Sequence, residues 1–215
     1  MRISVSDSAL ARQVISCNAC FKSLTLQRAG ISLPQSFTVG SRYTNGGVAL
    51  LGINPGAGAE GAYKEARRVA LDRFASGNDA AIGEYWDSLA QDSQNFWNKK
   101  HLARVRSLGL QIESLLIGNI ALCATAGNKY PKAMLRNCWS RHTEGFLKHY
   151  VPGVLVLMGS EGTVGEFLRK VKVTLPSLRA IRIAHYAHRE GAAHEQAECA
   201  RVRKFLGTSD ARVSA

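Results

Sequence analysis

The sequence predicts an α/β fold, a three-layer α/β/α arrangement around a central, mainly parallel four-stranded sheet. Three observations predict it. Four short apolar runs rich in Val, Ile and Leu recur along the chain, helix-like stretches separate them, and neither an internal repeat nor a Pro/Ser-rich linker interrupts the alternation. Short continuous apolar runs are the mark of strands covered on both faces. Their alternation with helices is the pattern of a parallel sheet clothed on both sides.

The first expected strand is Gly47–Ile53 (GVALLGI). Helices are expected over Gly61–Ala75, Asp79–Gln91 and Phe96–Leu108, before a second strand, Leu115–Leu122 (LLIGNIAL). A helix over Lys132–His149 leads to the third strand, Gly153–Met158 (GVLVLM). A helix over Thr163–Val171 leads to the fourth, Ala180–Ala184 (AIRIA), and a helix over Glu190–Leu206 closes the domain. One domain is expected over 1–206, followed by a flexible polar tail, Gly207–Ala215. In parallel sheets functional residues gather beyond the carboxyl ends of the strands. Here those places are Asn54–Gly56, Asn119–Cys123, Gly159–Ser160 and His185–Arg189.

A chain of 215 residues fits one ordinary domain and can bury a core without disulfide staples. Its 46% hydrophobic content excludes a wholly disordered basic protein. Lysine and arginine total 28 against 16 acidic residues, a formal charge of +12. That excess calls for a polyanionic partner, most simply nucleic acid, with an anionic membrane surface as the competing reading. Met1–Ala11 holds no apolar run long enough for a signal peptide or a membrane span. A cytoplasmic location with reduced thiols is therefore expected.

Five cysteines in such a protein raise a metal or redox role. Cys17 and Cys20 form a C-x2-C pair, and Cys123 and Cys138 enclose 14 residues that include Asn128 and Pro131. The first pair can chelate from a single turn; the fold must bring the second pair to it. Four thiolates suit either zinc or an iron–sulfur cluster, and two buried free cysteines are the plain structural alternative. Cys199 shares a helical face with Ala192, Val202 and Leu206 and reads as a core thiol. After the first strand comes Gly52-Ile53-Asn54-Pro55-Gly56. A glycine-rich turn before a helix can cradle phosphate. This one matches neither the dinucleotide nor the P-loop pattern, so nucleotide binding is poorly supported.

GINPG in this position resembles the first motif of the uracil-DNA glycosylase superfamily, in wording most like its mismatch-specific branch. The remainder resembles the iron–sulfur family 4 branch. It has the C-x2-C followed by a basic, leucine-containing segment, Cys17–Leu24, and then a strand ending N-x3-C, Asn119–Cys123. An N-x2-P element, Asn128–Pro131, the further cysteine Cys138 and a strand ending in Gly159 follow. The resemblance runs from Cys17 to Arg189.

The resemblance implies a monofunctional base-excision glycosylase that hydrolyses the N-glycosidic bond of uracil, or of a related deaminated or mismatched base, in DNA. Asn54 falls where the family positions or activates water. Family 4 usually has a carboxylate there. An amide cannot serve as an ordinary general base but can orient water through its carbonyl oxygen, so slower chemistry is expected. Ile53, Pro55 and Gly56 would line the base pocket, and Asn119 would read the base, its amide offering uracil a donor and an acceptor together. His185 falls where the family's His-Pro-Ser histidine donates to the departing base, although the proline and serine are absent; His188 is its rival in the loop. Arg189 would fill the gap left by the flipped nucleotide or hold a phosphate. Tyr63 or Phe74 would stack on the base.

Lys64, Arg67, Arg68, His188 and Arg189 are the expected DNA contacts, with Lys129, Lys132 and Arg136 presented to phosphates by the cysteine loop. Cys17, Cys20, Cys123 and Cys138 would hold a structural [4Fe-4S] cluster, with zinc as the alternative. The implied partner is DNA with a damaged or mismatched base, bound by a monomer in the nucleoid. Two further readings are a DNA-binding, damage-sensing iron–sulfur protein of the same fold without turnover, and an iron–sulfur enzyme acting on free nucleobases or nucleosides.

Overall fold

The computed structural model describes residues 5–24, 26–28, 34–55, 62–85, 102–185 and 192–207. Five strands form one sheet, in the order β1-β3-β2-β4-β5. They are β1 (Thr38–Val39), β2 (Val48–Gly52), β3 (Leu115–Asn119), β4 (Val154–Met158) and β5 (Arg179–Ile183). β2, β3, β4 and β5 pair in parallel. These are the four predicted apolar runs; the first three are shortened and the fourth begins one residue earlier, at Arg179, and ends one residue earlier, at Ile183. The expected count of four is corrected by β1, which pairs antiparallel with the outer edge of β3. Two residues cannot display a strand's alternation, so periodicity had nothing to detect there.

Eight helices are named among the described residues. They are α1 (Val5–Ile15), α2 (Ala19–Ser23), α3 (Ala62–Ala75), α4 (Leu102–Ser107), α5 (Lys132–Cys138), α6 (Glu144–Tyr150), α7 (Glu161–Thr174) and α8 (Ala192–Leu206). The predicted Lys132–His149 helix is α5 and α6 joined by a π-helical turn, Trp139–Thr143. The stretch 81–85 is helical, and the rest of the predicted Asp79–Gln91 helix lies outside the described residues. So do the start of the predicted Phe96–Leu108 helix and all but the first residue of the predicted tail.

Alternate strand residues point to opposite faces, and each face has its own apolar cluster. Ala49, Leu51, Leu116, Leu155 and Leu157 pack with Leu135 and Trp139, with Phe146 and Leu147 of α6, and with Val164 and Phe167 of α7. Leu50, Leu115, Ile117, Val156, Met158 and Ile181 pack with Val105 and Leu108, and with Cys199 and Val202 of α8. Cys199 is thus the core thiol that its helical position predicted. A third cluster joins α1 to α3 through Ala11, Ile15, Leu71 and Phe74. Gly118 is small for a steric reason. A Cβ there would stand 2.7 Å from the ring of Phe37, which stacks on Phe146 with centroids 4.4 Å apart. Among the described residues no helix is long and apolar enough to cross a membrane.

α6 ends on Val151, a β-branched residue in the left-handed region (φ 43°, ψ 59°) and 52% exposed. Glycine adopts this conformation without the Cβ clash, and the left-handed penalty for other residues is about 1–2 kcal/mol. Val151→Gly is expected to raise stability by roughly 1 kcal/mol, since glycine's greater unfolded-state entropy offsets part of that gain. Urea unfolding should show a higher midpoint at unchanged slope; a lower midpoint would contradict the assignment of strain.

Candidate functional site

From β2 the chain crosses to β3 on one side, and later returns to place β4 on the other side of β2. The connections part at this point, and in open parallel sheets the crevice outside such a reversal is where ligands bind. The side chains at the carboxyl edge are close-set. A Cβ on Gly159 would lie 2.6 Å from Val164 Cγ1 and 2.9 Å from Ile53 Cδ1, so Ile53 crosses from the end of β2 to the end of β4. A Cβ on Gly52 would lie 2.5 Å from Asn119 Oδ1, so the Asn119 amide rests directly on the end of β2. Beyond β3, Ile120 and Ala121 keep pairing with β2, donating to the carbonyls of Gly52 (2.9 Å) and Ile53 (2.8 Å). Thr143, fully buried in the π-helical turn, donates its hydroxyl to the carbonyls of Ile120 (3.3 Å) and Asn119 (3.4 Å).

Asn54 follows β2 and is half-buried. Its Nδ2 donates to Asn128 Oδ1 at 3.0 Å, and its amide lies near enough to the Tyr130 hydroxyl to act on its pKa. The Thr125 backbone N–H reaches the same hydroxyl oxygen at 3.4 Å, and the Thr125 hydroxyl donates to the Lys129 carbonyl at 2.7 Å. Burial pushes the Tyr130 phenol pKa up, and Thr125 and Asn54 pull it back. Gly127 (φ 66°) and Asn128 (φ 55°) are consecutive left-handed residues. Asparagine is among the few residues that tolerate this region.

His185 stands two residues beyond β5 and is half-buried. The strand end before it is tied down. The Ala184 N–H donates to Glu198 Oε2 at 2.8 Å, and Glu198 is only 8% exposed. Arg182 donates to the Gly159 carbonyl at 3.1 Å and lies 3.6 Å from the carboxylates of both Glu161 and Glu198. The ends of β4 and β5 are thereby joined. Ile53, Asn54, Pro55, Asn119 and His185 thus lie at one edge of the sheet, as the strand-end rule predicted.

The predicted residues Gly56, His188 and Arg189 lie outside the described residues. Tyr63 and Lys64 lie at the start of α3. Arg67 is half-buried and lies close enough to Tyr85 to act on its phenol. Burial pushes that phenol up to about 12, and Arg67 opposes the shift. Arg68 is engaged within α3, with Glu65 at 2.5 Å and Asp72 at 2.6 Å. That pairing holds the Glu65 carboxyl below its ordinary pKa. Phe74 is corrected. It is fully buried in the α1–α3 cluster beneath the Arg12 guanidinium and has no exposed face for a base. Arg136 pairs with Glu166 at 2.8 Å, whereas Lys129 and Lys132 are exposed.

All five cysteines are free. Three of the four predicted ligands meet. Cys138 hydrogen-bonds both Cys20 and Cys123 through the thiols. The bond to Cys123, with burial, pushes the Cys138 thiol up to about 12, and the bond to Cys138, with burial, raises Cys20. Cys17 is half-buried in the turn before α2, and its carbonyl accepts from Arg28 at 3.0 Å. Arg28 lies over the Phe21 ring at 4.7 Å and bridges antiparallel to Thr125. The C-x2-C segment is thus stitched to the loop that carries Cys123. The thiols form a chain, and among the described residues no group of three or more His, Cys, Asp or Glu takes a metal-holding arrangement.

Tyr130, Thr143, Arg182 and Glu198 are positioning residues that sequence reasoning missed. The Gly127-Asn128 dipeptide was a usable sign of a left-handed turn; nothing in spacing marks the other four. No protein-family model matches the chain, and no curated protein matches it.

The thiolate is the reactive form of cysteine. In metal-free protein at pH 8, iodoacetamide is expected to label half-buried Cys17 first. Cys20 and Cys138 should react at least about a hundredfold more slowly than an unstructured thiol, being buried and largely protonated. Peptide mapping over time checks this; equal labelling of all three would contradict the thiol chain.

Proposed function

We propose that the protein is a monofunctional DNA glycosylase that hydrolyses the N-glycosidic bond of uracil, or of a related deaminated or mismatched base, and leaves an abasic site. One observation carries the reading. Ile53, Asn54 and Asn119 lie at the carboxyl ends of the adjacent strands β2 and β3, where Asn54 is hydrogen-bonded to Asn128, and Cys138 lies against Cys20 and against Cys123 of the same loop. The order of motifs in the chain had joined these residues; their nearness is an independent observation. Strand faces that bury into separate clusters favour the three-layer form of the fold.

The target nucleotide leaves the duplex first, because the reactive carbon is out of reach inside the stack. Asn119 offers the extruded base a donor and an acceptor together, the complement of uracil's O4 and N3–H. Ile53, Pro55, Gly56 and Tyr63 enclose the base. As the glycosidic bond breaks, negative charge gathers on the base, and an imidazole N–H of His185 stabilises it. Asn54 orients water toward the sugar carbon. Lys64, Arg67, Arg68, His188 and Arg189, with Lys129 and Lys132, grip phosphates, and the +12 charge makes that grip salt-dependent.

Thiolates are the donors that a soft metal centre takes, and Cys138 already lies against both Cys20 and Cys123. Cys17, Cys20, Cys123 and Cys138 would hold a [4Fe-4S] cluster, which supplies covalent ties between the N-terminal segment and the loop rather than chemistry on the base. Zinc would serve the same structural end. Brown protein with about four irons per chain is expected; colourless protein with one zinc would replace the cluster by zinc.

Incubation with an oligonucleotide carrying one uracil, followed by alkali, is expected to give strand cleavage. Asn54→Ala and His185→Ala should each slow excision by about tenfold or more. No cleavage of single-stranded, U·A and U·G substrates would overturn the uracil form of the proposal. Tight, salt-dependent DNA binding without base release would instead identify a damage-sensing protein.

A further inference from the structure

An asparagine side chain has two unlike ends. Nδ2 carries two hydrogens to donate, and Oδ1 can only accept. A carboxylate has two equivalent oxygens and presents an acceptor whichever way it turns. The end of the amide that faces the substrate therefore matters at position 54, where a carboxylate would need no orienting partner.

The direction matters because of the chemistry. A water that attacks the sugar carbon turns one lone pair toward that carbon while a hydrogen bond from the water to a neighbouring acceptor keeps it in that orientation. Oδ1 can accept that hydrogen bond. An NH2 in the same place would donate to the water instead, drawing electron density from it and leaving its hydrogen without that acceptor.

The structure shows the NH2 end already engaged. Nδ2 donates to Asn128 Oδ1 at 3.0 Å. With Nδ2 turned toward Asn128, Oδ1 is the end of the amide that faces away from it. Asn128 is itself held by a left-handed backbone (φ 55°).

We infer that Asn128 is a positioning residue that sets the amide flip of Asn54, so that its carbonyl oxygen, and not its NH2 group, meets the attacking water. The part played by water rests on the glycosylase reading; the engagement of the amide does not.

Two substitutions separate this role from a structural one. Asn128→Gly removes the acceptor while keeping a residue that tolerates positive φ. Asn128→Asp keeps an oxygen acceptor. Single-turnover excision of uracil is expected to slow about tenfold for Asn128→Gly at unchanged DNA affinity, and to recover to within about threefold for Asn128→Asp. In an Asn54→Asp background, Asn128→Gly should cost less than about twofold, since a carboxylate needs no flip set. Equal losses in the two backgrounds would make Asn128 merely structural and overturn the inference.

A second readout does not depend on activity. The Asn54 side-chain NH2 signals, followed by heteronuclear NMR, should exchange with solvent more slowly in the wild type than in Asn128→Gly. Equal exchange would overturn the inference whatever the protein does to uracil. Slowed exchange in a wild type that excises no base would uphold the hydrogen bond and overturn both the glycosylase reading and the part assigned to water.

Discussion

β2 is paired along both edges in parallel register, with β3 on one side and β4 on the other. This double pairing decides where the later loops must end. A strand buried on both edges and both faces cannot shift without exposing Ala49, Leu50 and Leu51 together. Its carboxyl end, Gly52-Ile53-Asn54, is therefore a fixed point. Asn119 comes to rest on Gly52 because the glycine leaves room for its amide, and Ile53 reaches Gly159 for the same reason on the other side. The loop after β3 is then tied back to β2 by backbone hydrogen bonds and by the Asn54–Asn128 contact.

That loop performs two tasks at once. It carries Cys123 and leads to Cys138, and it also holds Asn128 and Tyr130 against Asn54. Thr125 links the two, because it bridges to Arg28 on one side and reaches Tyr130 on the other. The contacts of Cys138 with Cys20 and Cys123 thus also bear on the position of Asn54, at one remove. A metal centre of the kind proposed would act there by stabilising the loop that holds Asn128 against Asn54.

The parallel core was legible because burial on both faces leaves a continuous apolar run, and four such runs stand in the chain. β1 was not legible, since Thr38 and Val39 are held by their partner strand rather than by their own pattern. The π-helical turn was hidden for a similar reason. Trp139–Thr143 has helical composition, and only the bond from buried Thr143 to the end of β3 shows what the widened turn positions. At the candidate site, the order of motifs in the chain singles out Asn54, Asn119 and the cysteines as candidates. Glu198 and Arg182 are not singled out. They act through a backbone N–H and a backbone carbonyl, and such partners leave no trace in residue type or spacing. Phe74 was misjudged because an aromatic ring beside a motif reads the same whether it faces a ligand or a core.

On the proposed reading, the amide at position 54 would orient water without a general base and would depend on a neighbour, Asn128, that a carboxylate would not need. The most direct measurement of the central claim is mass spectrometry of the products formed from an oligonucleotide containing a single uracil. The account predicts free uracil and an otherwise intact strand bearing an abasic sugar. An unchanged oligonucleotide, or a strand cut with the base still attached, would contradict it.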